Sequence, residues 1–242
     1  MNQLKRNYRL RTSDFDRYSR LLPSSVLDIF QDLAGEHADY IGIGHDKMAE
    51  KNLFWILLKV RYEVLRYPEL YTNICGTTWP HEPGKIDFIR DYTITDEKGG
   101  LLVRGTSQWA VVDCTTRRLT VPREVHFEID EFCPEMTFGN RFSKVRDFEI
   151  TETMLPYVFT SGYTDIDLNN HVNNIKYASY IMNAADLPAG KSIREFQIDY
   201  RKEIYENERI SIFEKTLDEK TICMKGTDDA GDVKFAAEII LN

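Results

Sequence analysis

The chain holds 242 residues with 42% apolar content, a net charge of −8 and four scattered cysteines, Cys75, Cys114, Cys133 and Cys223. That length and composition suit one large or two small domains with a sizeable core, and the acidic balance argues against a nucleic-acid binder. No stretch approaches the roughly 18 apolar residues of a membrane span, the N-terminus lacks the apolar core of a secretion signal, and no Cys-x-x-Cys pair occurs, so a cytosolic chain with reduced, structural thiols is expected.

Residues 12–16 lead through Pro23 into Val26, Ile29, Phe30 and Leu33, whose spacing predicts a helix with Pro23 and Ser24 or Ser25 at its start. His37 and His45 fall near its end and read as surface or capping positions. Strands are expected over 54–64, 71–79, 86–94 and 101–112, the last two joined by a Lys98-Gly99-Gly100 turn. His81 sits beside Glu82-Pro83-Gly84 and reads as a turn residue, and His126 as having no role. Gly42-Ile43-Gly44 lacks the third glycine and the preceding strand of a dinucleotide fingerprint, and reads as a turn.

Residues 129–146, with Pro134 and Gly139, break the pattern and read as a linker between domains at 1–128 and 147–242. Beyond it, Val172, Ile175, Ala178 and Met182 predict a second helix starting near Val172, followed by strands over 195–204, 209–217, 221–226 and 233–241. Asp14 and Asp16 match Asp165 and Asp167 at one offset, with the same strand-turn-helix order around them. The expectation is an α+β chain in which one long helix wrapped by an antiparallel sheet occurs twice.

The densest chemistry is residues 165–177, where Asp165, Asp167, Asn169, Asn170, His171, Asn173 and Asn174 crowd one strand–helix junction. A turn and an N-cap account for one or two of these, not for all seven. A calcium loop would need Gly and Glu where Asn170 and Lys176 stand, so that reading fails. No Gly-x-Ser-x-Gly elbow, phosphate-binding loop or zinc-spaced Cys/His set is present.

The segment 167–177 resembles the signature of the acyl-acyl-carrier-protein (acyl-ACP) thioesterases, roughly D-x-N-x-H-V-N-N-x-K-Y. Phe54-Trp55-Ile56 through Arg66-Tyr67-Pro68, Ser107 to Val112 with Thr116-Arg117-Arg118-Leu119, and Asp199-Tyr200-Arg201-Lys202-Glu203 agree with it in order. The resemblance implies a tandem hot-dog fold, hydrolysis of fatty acyl-ACP to free fatty acid and holo-ACP, no cofactor or metal, and acyl carrier protein as partner, with a homodimer left open. With no transit-like extension before the first strand, a bacterial, cytoplasmic form is expected. The family's catalytic set falls on Asp167, Asn169, His171 and Glu203. Ile204 stands where some members carry a cysteine, so a covalent thiol mechanism there is excluded.

Thioester hydrolysis needs an activated water, a polarised carbonyl and a proton for the leaving thiolate. Glu203 is expected to hold or deprotonate the water, with Asp167 orienting His171 or Asn169. Oxyanion stabilisation is expected from Asn169 or His171 and from the backbone N–H groups of Val172 and Asn173 at the helix start. In the first half, Tyr18, Arg20 and Leu65 match Asn169, His171 and Glu203, so that half reads as catalytically empty, with Met48, Trp55 and Ile56 lining an acyl pocket. Arg117, Arg118, Arg201 and Lys202 are candidates to meet the carrier protein. The alternatives are an acyl-CoA thioesterase, a hot-dog hydratase, and a non-catalytic acyl-thioester sensor on the same fold. The sensor would show an eroded site in both halves.

Overall fold

The computed structural model describes residues 2–121, 125, 128–129, 131–138, 142–185, 187 and 190–242; His126 and Gly139 lie outside the described residues. The chain divides into two compact units, Met1–Leu21 with Asp28–Arg141, and Leu22–Leu27 with Phe142–Asn242.

In the first unit the alternating segments form β1 (Leu4–Arg9), β2 (Leu53–Val64), β3 (Asn73–Pro80), β4 (Phe88–Asp96) and β5 (Leu101–Asp113), with a short β6 (Leu119–Thr120) on β5. The sheet is antiparallel in the order β1-β3-β4-β5-β2. Helix α1 (Pro23–Tyr40) starts at the expected proline. It buries Ile29, Phe30 and Leu33, each such side chain worth roughly 1.5–3 kcal/mol when removed from water.

His37, one helical turn after Leu33, corrects the surface reading. It is fully buried, and its Nδ1 lies 2.9 Å from Arg90 Nη1. The apolar stripe of α1 continues through it, and a cation from β4 supplies the polar partner that burial demands.

Helix α1 stops at Gly42, whose φ of 74° is a left-handed conformation. The Ile43 N–H then bonds the Ala38 carbonyl (2.9 Å) and the Gly42 N–H bonds that of Asp39 (3.2 Å), a glycine-terminated helix end. Residues His45–Glu50 form a separate helix, α2, not expected from the sequence; His45 opens it rather than closing α1. His81 Nε2 lies 3.0 Å from the buried Asp91 carboxylate, though without hydrogen-bond geometry.

The second unit holds β7 (Tyr157–Thr160), α3 (Asn174–Ala184), β8 (Ile193–Tyr200), β9 (Arg209–Asp218), β10 (Thr221–Asp228) and β11 (Val233–Leu241). Its antiparallel order is β8-β11-β10-β9-β7. The β10–β11 turn closes through the Asp228 N–H on the Asp232 carbonyl (3.1 Å), with Gly231 at φ 84°. Tyr177 of α3 meets Tyr200 and Phe235 edge to face, and Tyr180 stacks on Phe159 at 3.7 Å.

The segment read as a linker makes tertiary bonds along its described length. Trp79 Nε1 donates to the Glu135 carbonyl (2.8 Å), Thr137 N–H to Asp91 (2.7 Å) and Gln197 to the Ser143 carbonyl (2.9 Å). At these described positions side chains from elsewhere, not neighbours in sequence, bond its backbone.

Helix α1 seats against its sheet, and β11 against β10, through close approaches that need glycine. A Cβ at Gly105 would lie 2.2 Å from the Phe30 ring, and Phe30 is held by stacking on Tyr92 at 4.2 Å. Gly226 leaves the same room for Phe235. Gly105→Ala is expected to cost about 1–3 kcal/mol through overpacking. Gly35→Ala, in α1 with open space around it, is expected to be neutral or to stabilise by up to about 1 kcal/mol. Urea denaturation of the two variants checks both values.

Candidate active site

The polar cluster folds as a pinched loop between a 3-10 turn (Tyr163–Asp165) and α3. Asp165 accepts the Gly162 N–H (2.9 Å) and closes the turn. Ile166 and Val172 bridge as a pair, and the Asp167 N–H meets the His171 carbonyl at 2.9 Å. Asp167 Oδ1 accepts the Asn169 N–H (2.8 Å), and Asn170 turns the chain at φ 62°. Asn173 caps α3, its Oδ1 accepting the Ile175 N–H at 2.9 Å. Asp165, Asn170 and Asn173 therefore shape the loop. Asp167 also shapes it, holding the Asn169 backbone rather than the His171 ring.

This loop delivers His171 to Glu203. Val172 N–H donates to the Ile204 carbonyl (2.8 Å), tying the loop to the segment after β8. His171 Nε2 then lies 3.3 Å from Glu203 Oε2, with the imidazole mostly buried and the carboxylate partly open to solvent. Glu203 stands three residues beyond β8, in a loop and not on the strand that the sequence suggested. Tyr205 donates to Glu203 Oε2 at 2.9 Å, and Lys234 Nζ donates to the Glu203 carbonyl at 3.1 Å. Burial opposes the Lys234 ammonium, yet Glu208 and Asp228 outweigh it and hold the group above its ordinary value. Tyr205 and Lys234 are absent from the sequence reading, because one Tyr and one Lys near a turn give no signal in a single sequence.

The expected oxyanion donors at the helix start are corrected. The Val172 N–H is engaged by Ile204, and the Asn173 N–H by the Asp165 carbonyl at 2.8 Å. Helix α3 begins at Asn174, two residues later than the apolar stripe implied, because the Ile166–Val172 bridge keeps Val172 extended. Of the expected donors, the exposed Asn169 side chain stays open to a ligand.

Residues 1–129 match the family model for the acyl-ACP thioesterase N-terminal domain, and residues 150–240 that for the C-terminal domain. The chain belongs to the acyl-ACP thioesterase family. It is 31% identical over 193 residues to a chloroplastic acyl-[acyl-carrier-protein] hydrolase of Cuphea viscosissima, covering 74% of this chain and 46% of that protein. The chain spans about half the length of the curated relatives it matches. Among solved structures, an acyl-ACP thioesterase from Bacteroides thetaiotaomicron superposes with a TM-score of 0.87 at 23% identity, covering 100% of this chain and 98% of that one. The 12:0-ACP thioesterase of Umbellularia californica gives 0.85 at 19% identity, covering 100% and 98%. The fold is the tandem hot-dog of that family.

Within this acyl-ACP thioesterase fold the first unit repeats the loop with different outward side chains. Asp16 N–H bonds the Arg20 carbonyl (2.9 Å), Asp16 Oδ1 accepts the Tyr18 N–H (2.8 Å), and Ser19 turns at φ 59°. Burial alone would raise the Asp16 carboxyl, but hydrogen bonds from Arg20 and Tyr18 hold it below its ordinary value. Arg20, at the place of His171, folds back onto Asp16 at 2.8 Å.

The counterpart of Glu203 is Tyr67 and not Leu65. Leu65 and Arg66 N–H both meet the Leu102 carbonyl, as Arg201 and Lys202 N–H both meet that of Lys234. Matching by alternation slipped by two residues, which keeps the same side chains facing the same way. Tyr67 carries no carboxylate.

The remaining candidates lie as follows. Met48 is buried in a cluster with Ile41, Ile43 and Phe88, against which Trp55 packs; Ile56 is half-buried on β2. Arg117, Arg118 and Arg201 are exposed, and Lys202 pairs with Asp232 at 2.6 Å. Burial beside Glu238 pushes the Cys223 thiol up to about 11, which suits a structural thiol and not a nucleophile.

Asn173→Ala removes the helix cap and is expected to cost about 1 kcal/mol. Asn173→Asp keeps an acceptor and is expected to retain most of that stability. Thermal melts of the two variants check the difference.

Proposed function

We propose that this chain hydrolyses fatty acyl-ACP thioesters to free fatty acid and holo-ACP. The observation that carries the reading is the pairing of His171 Nε2 with Glu203 Oε2 at 3.3 Å in a member of the acyl-ACP thioesterase family. Glu203 takes a proton from water through its other oxygen, Oε1. His171 Nε2, 3.3 Å from Oε2, keeps the carboxylate aimed. The Asn169 side-chain amide, beside the start of α3, receives the developing negative charge of the thioester oxygen. Asp167 holds the Asn169 backbone and so fixes where that amide points.

One active site per chain is proposed, because Tyr67 and the Asp16-bound Arg20 replace the acid and the histidine in the first unit. That unit is proposed to serve the acyl chain through Met48, Trp55 and Ile56. Retention of the His171–Glu203 pair favours the hydrolase over a non-catalytic sensor. The proposed setting is the bacterial cytoplasm; among the described residues no helix is long and apolar enough to cross a membrane. The carrier protein is acidic by family resemblance, and Arg117, Arg118 and Arg201 are the exposed cations proposed to meet it.

The test is thiol release from a mixed acyl-ACP pool, set beside acyl-CoA and beside enoyl-thioester hydration. Free fatty acid from acyl-ACP is expected, and Glu203→Gln is expected to lower kcat by roughly 10²–10⁴, the usual worth of a general base. Wild-type kcat in a folded Glu203→Gln variant sinks the assignment. KM for acyl-ACP is expected to rise with ionic strength as counterions screen the approach. A salt-independent KM argues against the basic contact.

A further inference from the structure

Two groups converge on one oxygen of Glu203. The Tyr205 phenol donates to Oε2 at 2.9 Å, and His171 Nε2 lies 3.3 Å from the same atom. The Tyr205 ring also meets the His171 imidazole edge to face, with centroids 5.0 Å apart. We propose that Tyr205 is a positioning residue, which with His171 clamps Glu203 Oε2 and thereby reserves Oε1 for the attacking water. This inference rests on the thioesterase reading above.

The clamp answers a physical problem. The terminal torsion of a glutamate is broad and two-fold, and Glu203 is more than one-third exposed. Left alone, its two oxygens would exchange places and both take solvent. Donors on Oε2 fix the carboxylate plane and distinguish the oxygens. A base that must meet a water within hydrogen-bond reach of the acyl carbon gains from that fixed plane.

The loop is built to hold the phenol still. Tyr205 N–H donates to Glu208 Oε2 (2.9 Å), and the Tyr205 carbonyl accepts from Ser161 Oγ and from the Glu208 N–H. Glu208 pairs with Lys234, which in turn holds the Glu203 carbonyl. The base and its clamp therefore hang from one buried ammonium. Asn207 makes the tight turn between Tyr205 and Glu208 at φ 62°, its N–H on the Ser161 carbonyl at 3.0 Å.

The phenol keeps its proton throughout. Water gives a proton to Glu203 Oε1 as its oxygen adds to the acyl carbonyl. When the C–S bond breaks, that proton passes from Glu203 to the departing thiolate. Carboxylate, thiol and fatty acid are then the balanced products.

Tyr205→Phe keeps the ring on His171 and removes only the O–H. It is expected to lower kcat by roughly 10- to 100-fold, the worth of one hydrogen bond to a charged group, with KM for acyl-ACP unchanged. Glu203→Asp withdraws the carboxylate by one methylene, beyond reach of the phenol. In that background Tyr205→Phe is expected to change kcat by less than about twofold, as for uncoupled sites. Wild-type kcat in Tyr205→Phe overturns the inference while leaving the thioesterase reading intact. Equal losses in both backgrounds, or a change in KM alone, also overturn it. A wild-type chain with no thioester hydrolysis removes the underlying reading and the inference with it.

Discussion

A single backbone hydrogen bond, from the Val172 N–H to the Ile204 carbonyl, decides how the second unit can work. It joins the end of the polar loop to the segment that follows β8. His171 and Glu203 each precede one end of that bond, so the bond sets them opposite one another. Ile204 is fully buried, so its carbonyl needs a partner, and the loop supplies one. The same bond occupies the Val172 N–H, while the Asn169 side chain stays exposed.

That junction is stable because aromatic packing seats α3 on the strands around it. Tyr177 lies between Tyr200 and Phe235, and the Tyr200 hydroxyl donates to the Asn174 carbonyl at 3.0 Å. Burial pushes the Tyr177 phenol above its ordinary value, so it stays neutral. The comparison of the two loops separates scaffold from chemistry. Both use an aspartate to accept a backbone N–H and a left-handed residue to turn. One points an arginine back at that aspartate, and the other points a histidine onward to a glutamate. A loop defined by its backbone bonds can exchange its outward side chains without changing shape.

Much of this was legible in the sequence. Alternation located the long strands within a few residues, and Pro23 marked the start of α1. The matched Asp14–Asp16 and Asp165–Asp167 pairs gave the repeat, because those carboxylates make the same local turn in each unit. Glu203 and His171 came from family resemblance, since nothing local links residues so far apart. The failures have local causes. Helix α3 starts late because an isolated bridge holds Val172 extended, which an apolar stripe does not reveal. His37 is buried because Arg90 arrives from another strand. The Glu203 counterpart was misplaced because a two-residue slip preserves alternation. Tyr205 was invisible because its contact with Glu203 arises only where the loop folds it back.

The central claim is that Glu203 activates water and does not itself take the acyl group. A single turnover of acyl-ACP in H₂¹⁸O, with the protein in excess, tests it directly. Direct attack places one ¹⁸O in the released fatty acid and none in the protein. Unlabelled fatty acid, with ¹⁸O in the peptide that carries Glu203, would show acyl transfer to that carboxylate and contradict the account.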